Sequence, residues 1–150
     1  MKSEVLDNLV GDLLLLTPLV RRGIQRKVVR TAFAKVEHNI TLPHLEIMML
    51  LKNQGTQHIA EIGERLQIPK PQMTHLIDRL EDLKIVSRQA GPSDRRIVNI
   101  SLTPMGRHII DELDGLIRRD IKEKLAVLSE EELKELSTSL RKLADILWKL

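Results

Sequence analysis

Apolar residues recur at helical spacing along most of the chain, and the pattern changes in one central stretch. Towards both ends the apolar side chains repeat every three or four residues, which is typical of amphipathic helices. Between residues 85 and 102 there are instead two short β-branched runs around a Gly-Pro-Ser-Asp sequence. Such runs around a glycine-proline turn predict a β-hairpin. We therefore expect a mainly helical chain with a small β element.

The stretch before the hairpin predicts two short helices joined by a tight turn. The first helix covers Gln57–Leu66, the turn is Gln67–Pro69, and the second helix runs from Lys70 to about Leu83. The apolar stripe of the second helix leaves polar side chains on its other faces: Lys70, Gln72, Thr74, His75 and Arg79. Helix, turn, helix and hairpin in this order indicate a winged helix-turn-helix, whose second helix fits the major groove of DNA.

The N-terminal segment predicts a long helix from about Ser3 to Val36. Pro18 lies inside this pattern, so we expect a kink or short break near Leu14–Thr17. The second half of the segment is crowded with basic residues: Arg21, Arg22, Arg26, Lys27 and Arg30. A solvated face is the simplest interpretation of such a run. The alternative is that part of this face contacts an anionic ligand or supports the DNA-binding lobe.

Three further helices are predicted around the helix-turn-helix and after the hairpin. The segment Pro43–Asn53 is apolar nearly all round, which indicates burial beneath the winged lobe. Thr103 precedes a proline that starts a helix of about 25 residues. Ser129 and Glu132 then form a capping box for a last helix, Glu130–Leu150.

The composition is that of an ordinary globular chain with a mildly basic balance. The 150 residues are 42% hydrophobic and 30% charged, enough for one domain with a core. The net charge of +3 mildly favours a polyanionic partner. Without cysteine, disulfides, thiolate metal sites and thiol-based sensing are excluded. The apolar run Leu9–Val20 is too short and too interrupted to span a membrane, so we expect a cytoplasmic protein with no membrane partner, nucleoid-associated when bound.

The sequence offers no constellation of residues that indicates catalysis. It contains no phosphate-cradling glycine loop, zinc-protease helix motif or nucleophile elbow. The histidine spacings fit no metal-ligand pair on a single helix. His38 and His44 flank one turn and could meet His108 or Glu37, although scattered histidines are usually surface residues or satisfied polar groups. We expect neither an enzyme nor a metal site, and no cofactor.

Four segments match, in order and spacing, the pattern of a known family. They are the recognition-helix string at residues 68–81, Ile85-Val86-Ser87-Arg88, the wing sequence Ser93-Asp94-Arg95-Arg96, and Ser101-Leu102-Thr103-Pro104-Met105-Gly106. Together they resemble the multiple antibiotic resistance regulator (MarR) family of dimeric winged-helix transcription regulators. The chain departs from the pattern at Pro69, Lys84 and Ala90, where members often have a small polar cap, a glycine and an arginine.

The resemblance implies one MarR-type domain over residues 1–150, mainly α with a little β. Residues 41–102 would form the winged lobe with a two-stranded β wing, and residues 1–38 and 103–150 a helical dimerisation region. The flanking helices also carry more leucine and isoleucine than one small lobe can cover, which favours a homodimer over a monomeric helical hairpin. The partner of the lobe would be double-stranded DNA. Its expected contacts are Lys70, Gln72, Thr74, His75, Arg79, Arg88, Asp94, Arg95 and Arg96.

The implied function is a regulator of transcription, repressor or activator, that binds a pseudo-palindromic operator. The resemblance also implies a small-molecule effector, lodged between the dimerisation helices and the lobe, that releases the DNA. Candidate effector contacts are Arg22, Arg26, His44 and Met48. With no tyrosine, one phenylalanine and one tryptophan, the chain has few aromatic surfaces for a phenolic effector.

Two other functions remain open on the sequence. The chain could coat the nucleoid without sequence preference, or its lobe could be a protein–protein module that has lost DNA binding. The polar face of Gln72, Thr74 and His75 suits base edges and favours the regulator. Ala90, where an arginine is common, keeps the loss of DNA binding open.

Overall fold

The computed structural model describes residues 1–25, 30, 34 and 40–150. Within these residues the helices are α1 (Lys2–Val20), α2 (Leu42–Gln54), α3 (Ile59–Leu66), α4 (Lys70–Asp82), α5 (Pro104–Leu125) and α6 (Glu130–Leu147). The strands are β1 (Gln57–His58), β2 (Val86–Ala90) and β3 (Val98–Leu102). The fold is therefore mainly helical with a winged helix-turn-helix at its centre, as the residue pattern predicts.

The sheet is antiparallel and has the order β1-β3-β2. Its β2–β3 hairpin is the predicted wing, in register from Val86 opposite Leu102 to Ala90 opposite Val98. The expected two-stranded sheet is incomplete, because Gln57 and His58 pair with β3 as a third strand instead of starting a helix. Helix α3 accordingly begins only at Ile59, after an extended N-cap at His58.

The hydrophobic core lies where α2 meets α3, α4, α5 and the sheet. Helix α2 supplies most of its centre, which agrees with the apolar character of this helix on all sides. The fully buried side chains are those of Ile40, Ile47, Met48, Leu51, Ile62, Met73, Ile77, Leu80, Ile85, Ile100, Ile110 and Leu113. Helix α5 contributes Ile110 and Leu113, so its first turns belong to this core.

The start of α5 is tied to the start of the wing. Thr103 caps the helix by accepting a hydrogen bond from the Gly106 N–H at 3.0 Å, and its hydroxyl donates to the Lys84 carbonyl at 2.6 Å. A Cβ atom at Gly106 would lie 2.0 Å from the Ile85 carbonyl oxygen, closer than any side chain can approach. Glycine at this position therefore lets the α5 backbone pack directly on the wing strand.

The break predicted near Leu14–Thr17 is absent from helix α1. The helix is continuous through Leu14–Thr17 and ends at Val20, and a π-helical turn, Arg21–Gln25, follows it. Pro18 has no N–H to donate to the Leu14 carbonyl, but this one lost bond lies near the C-terminal end of α1, and the irregular winding comes after the proline. Most of the predicted continuation to Val36 lies outside the described residues.

Helices α1 and α6 contain no buried residue. The predicted capping box at the start of α6 is present: the Ser129 N–H donates to Glu132 Oε2 at 2.8 Å, and the Glu132 N–H donates to Ser129 Oγ at 3.2 Å. The helix ends at Leu147, three residues before its predicted end. Its exposed apolar side chains, with those of α1, leave two long apolar faces that the rest of the described chain does not cover. None of the described helices combines the length and hydropathy needed to cross a membrane.

Candidate nucleic-acid interface

Helix α4 is anchored to the lobe along one side, and this anchoring fixes which residues face outward. Its side chains Met73, Leu76, Ile77 and Leu80 are buried in the core. The turn before it reverses the chain at Gln67, whose φ of 54° is left-handed. Pro69 then serves as the N-cap and Pro71 occupies the first turn, where the missing proline N–H costs the helix no bond.

The polar residues predicted to contact DNA occupy the outer side of α4. Lys70, Gln72, Thr74 and His75 are all exposed. Gln72 and His75 are three residues apart and therefore share one face of the helix. The Thr74 hydroxyl donates to the Lys70 carbonyl at 3.2 Å, so its proton is directed into the helix and its oxygen remains an acceptor. The groups best placed to meet base edges are the amide of Gln72 and the imidazole of His75.

Arg79 and Arg88 are less exposed than the other predicted contacts. Arg79 is half-buried on α4, and its charge adds to the effect of burial in lowering the pKa of His44. Arg88 on β2 forms an ion pair with the Asp78 carboxylate and lies 3.6 Å from Glu81 Oε1. This pairing ties the base of the wing to α4. Sequence reasoning missed it, although Asp78 and Glu81 share one face of the helix.

The tip of the wing presents two arginines to solvent. The Asp94 carboxylate accepts hydrogen bonds from the Arg96 backbone N–H at 3.0 Å, its Nε at 3.2 Å and its Nη2 at 3.3 Å. These bonds orient the Arg96 side chain, and hydrogen bonds from the Arg96 side chain and then its backbone lower the pKa of Asp94. The Arg96 side chain remains 92% exposed, and Arg95 is exposed beside it. At Gly91 a Cβ atom would lie 2.7 Å from the Asp94 carbonyl oxygen, so glycine permits the tight turn.

Helix α4 and the wing border a common concave surface. A cavity of about 780 Å³ lies between α3, α4 and the wing, with Val98 and Ile59 on its apolar side. Its basic and polar lining combines Lys70 and Thr74 from α4 with Arg88 and Arg96 from the wing. The acidic residue Glu64 on α3 also lines it. We call the exposed polar residues of α4 and the wing tip, Lys70, Gln72, Thr74, His75, Arg95 and Arg96, the helix-and-wing surface, of which Lys70, Thr74 and Arg96 line the cavity. Cationic groups from two separate elements along one surface are the arrangement that binds a phosphate backbone.

His44 has a structural role that the sequence reasoning missed. It occupies the third position of α2, and its Nδ1 accepts the Thr41 backbone N–H at 2.9 Å. A histidine therefore takes the place that glutamate usually has in a capping box. The side chain is 5% exposed, and burial, followed by the charge of Arg79, lowers its pKa.

The predicted effector contacts do not form one cluster among the described residues. His44 and Met48 lie in the core beneath the lobe, Arg22 is exposed on the π-helical turn after α1, and Arg26 is outside the described residues. Their role in effector binding stays a prediction. Across the described parts of the chain, no group of three or more histidine, aspartate or glutamate residues converges on a metal position. His38 and Glu37, which the metal alternative involves, lie outside those parts.

The buried cap makes stability depend on pH below neutrality. The folded chain disfavours the His44 proton, whereas the unfolded chain binds it near the ordinary pKa of 6.5. The free energy of unfolding should thus be constant above that pH and fall as the pH drops through the lowered folded pKa. His44→Asn keeps an acceptor for Thr41 but cannot titrate. Thermal melts from pH 7.5 to 5 should show a smaller decline for this variant than for the wild type, and equal declines would contradict the assignment.

Comparison with known proteins identifies the family of this chain. Residues 40–98 match the family model described as "MarR family". The chain is 30% identical over 107 residues to a Bacillus subtilis protein described as "Uncharacterized HTH-type transcriptional regulator YsmB", covering 71% of this chain and 73% of that protein. This chain belongs to the MarR family. A second relative, the HTH-type transcriptional repressor MdtR of Bacillus subtilis, is 28% identical over 144 residues, which cover 96% of this chain and 90% of that protein.

Solved structures of MarR family proteins have the same fold as this chain. A MarR family protein from Bacillus stearothermophilus superposes with a TM-score of 0.79 at 25% identity, covering 94% of this chain and 96% of the other. The relatives are named as transcription regulators and not as enzymes. The chain is therefore a MarR-type, DNA-binding regulator of transcription.

Proposed function

We propose that this MarR protein is a homodimeric repressor that binds a pseudo-palindromic operator and is released from it by a small-molecule effector. In this proposal residues 41–102 form the DNA-binding lobe of a single domain, 1–150. Residues 1–38 and 103–150 hold the two subunits together. Each lobe inserts α4 into one major groove, and its wing reaches the adjacent backbone.

The main support for a dimer is the exposed apolar faces of α1 and α6. On α1, ten leucine and valine side chains from Val5 to Val20 are between 36% and 69% exposed in the single chain. On α6, Leu140 is 55% exposed and Leu147 is 46% exposed. Apolar surface this continuous is rare on monomers and is typical of subunit interfaces. A second copy of the chain covers such faces by two-fold symmetry.

The exposed chemistry of α4 supports sequence-specific binding. Gln72 offers an amide that can bind adenine through two hydrogen bonds, and His75 offers a ring nitrogen on the same face. A purely nonspecific protein would need only the charges of Lys70, Arg95 and Arg96. Two-fold related recognition helices read half-sites roughly one helical turn, about 34 Å, apart. An inverted repeat is therefore the expected operator.

Selection of bound sequences from a random pool of duplexes tests this function. The expected result is an inverted repeat with half-sites one turn apart. Recovery of sequences without any shared motif would support the nucleoid-coating function, and failure to enrich any duplex would support the protein–protein module. Repression itself is tested by placing the recovered repeat at a promoter and measuring transcription with and without the protein.

The family and the basic residues that follow α1 in the sequence support the proposal of an effector. We expect a small amphiphilic anion to weaken operator binding about 5- to 150-fold, which is the usual size of coupling between two sites. Arg22→Gln should weaken the response to the anion and leave operator affinity in its absence unchanged. Arg141→Gln on α6 is the matched control for loss of one exposed arginine. A ligand panel that raises thermal stability without changing operator affinity would contradict the coupling.

A further inference from the structure

We propose that Lys52 is a positioning residue that fixes the angle between the winged lobe and α5, and that this angle sets the half-site spacing the dimer accepts. The inference rests on the proposed homodimer. Lys52 lies in the last turn of α2, and its side chain is 21% exposed. Its ammonium group forms ion pairs with Asp111 Oδ1 at 3.0 Å and Asp114 Oδ2 at 2.9 Å, both on α5.

The contact is better shielded from solvent than an ordinary surface ion pair. Asp114 is 14% exposed, so solvent screens the pair less than it screens exposed charges. Hydrogen bonds to Asp114 and then Asp111 raise the pKa of Lys52, and the Lys52 hydrogen bond lowers the pKa of Asp114. Both groups therefore stay charged through the neutral range. Arg107 of α5 also donates to the Lys52 carbonyl at 3.4 Å, which satisfies part of the C-terminal end of α2.

In the part of the chain that the structure describes, directional contacts attach α5 to the lobe in two regions, and Lys52 forms the second. The first is the helix start, where Thr103 and Gly106 pack on the carbonyl of Ile85. Asp114 comes ten residues after Pro104, which is about 15 Å further along the helix at 1.5 Å per residue. Between the two attachments α5 packs on the lobe through the apolar side chains of Ile110 and Leu113, and Arg107 adds its hydrogen bond to the Lys52 carbonyl. Apolar contacts are non-directional, whereas charge-assisted hydrogen bonds to two carboxylates one turn apart specify a single orientation.

The orientation of α5 then determines where the lobe stands in the dimer. Beyond Asp114 the helix continues for about 16 Å to Leu125 and leads into α6, with its apolar face. A rotation of α5 about its start therefore moves the proposed dimerisation end about twice as far as it moves Asp114, because Leu125 lies about twice as far from the start. In a two-fold dimer the displacement is doubled, because each lobe moves relative to the common axis. Recognition helices spaced wrongly by a few ångströms cannot occupy both half-sites together.

The distance between lobes can be measured without DNA. The chain has no cysteine, so Glu61→Cys on the exposed side of α3 gives one spin label in each subunit. In the wild-type background, electron–electron double resonance should give a narrow distance distribution. Lys52→Gln should shift or broaden it, and Lys52→Arg should restore it. The matched control is Arg118→Gln, which removes one positive charge paired with Asp114 at 3.0 Å but makes its contact within α5.

Duplexes with two fixed half-sites and altered spacing provide the second readout. Wild type and Arg118→Gln should prefer one spacing, and Lys52→Gln should lose that preference by about fivefold, the loss expected for about 1 kcal/mol. Affinity for a duplex with a single half-site should not change. Asp111→Asn, at a half-exposed position, should act in the same direction if Lys52→Gln proves hard to fold.

Identical distance distributions and spacing profiles for Lys52→Gln and Arg118→Gln would overturn the inference. Failure of the proposed function can be distinguished from failure of the inference, because measurements on the wild type, without any variant, reveal it. A wild type with no inter-label distance is not a dimer, and one with no preference among spacings does not read an inverted repeat; either result also removes the basis of the inference. When the wild type shows both properties and Lys52→Gln retains them, only the role of Lys52 is wrong.

Discussion

Replacing Leu136 and Leu140 with aspartate should dissociate the dimer and abolish specific operator binding. Both side chains belong to the apolar stripe of α6 and are 36% and 55% exposed in the single chain, so the folded lobe does not depend on them. Burying a carboxylate in an apolar interface costs several kcal/mol of free energy, roughly, for each group. A monomer has one recognition helix, so its operator affinity should fall towards the nonspecific level, about a thousandfold or more below specific binding.

Sedimentation equilibrium and operator titration on the same samples measure both parts of this result. Thr138→Asp is the matched control, because it places the same carboxylate on the opposite side of α6 from Leu140. This control should remain dimeric and bind the operator as the wild type does. Circular dichroism checks that the variants stay helical. A monomeric variant that still bound the full operator with wild-type affinity would show that dimerisation is not required.

Gln72→Ala should weaken binding to the operator and leave nonspecific binding almost unchanged. Gln72 is exposed near the start of α4 and carries no charge, so it can discriminate bases without adding to phosphate attraction. Loss of a two-bond contact with a base costs about 1–3 kcal/mol. The dependence of affinity on salt should stay the same. Gln54→Ala, at an exposed position at the end of α2, is the control for loss of an exposed glutamine.

Arg96→Ala should have the opposite signature. Its guanidinium is exposed at the wing and oriented by Asp94, which suits a phosphate or the minor groove. Its loss should weaken binding to every duplex and make the salt slope shallower by about 1 if one phosphate contact is removed. Titrations against operator and scrambled duplexes at several salt concentrations compare the two variants, with Arg141→Ala as the charge control. If Gln72→Ala weakened binding to both duplexes equally, Gln72 would not recognise a base. If Arg96→Ala left every affinity unchanged, the wing would not contact DNA.

The sequence alone determined the elements whose causes are local. The apolar stripe of α4, the turn at Gln67–Pro69 and the hairpin around the Gly-Pro-Ser-Asp sequence are all formed by residues within a few positions of one another. The same is true of Ser129 with Glu132 and of Asp94 with Arg96. In each case one or two turns of chain contain both partners, so spacing and residue type are sufficient. The outward face of α4 followed directly from the position of its apolar stripe.

The tertiary structure decided the features that join distant parts of the chain. Strand β1 exists because Gln57 and His58 find β3 about forty residues later, and this backbone pairing overrides the local preference for helix. The burial of His44, the pairing of Arg88 with α4, and the bridge from Lys52 to Asp114 likewise depend on helices packing together. A charged side chain has many partners available in the sequence. Only packing, which fixes distance and removes solvent, selects among them.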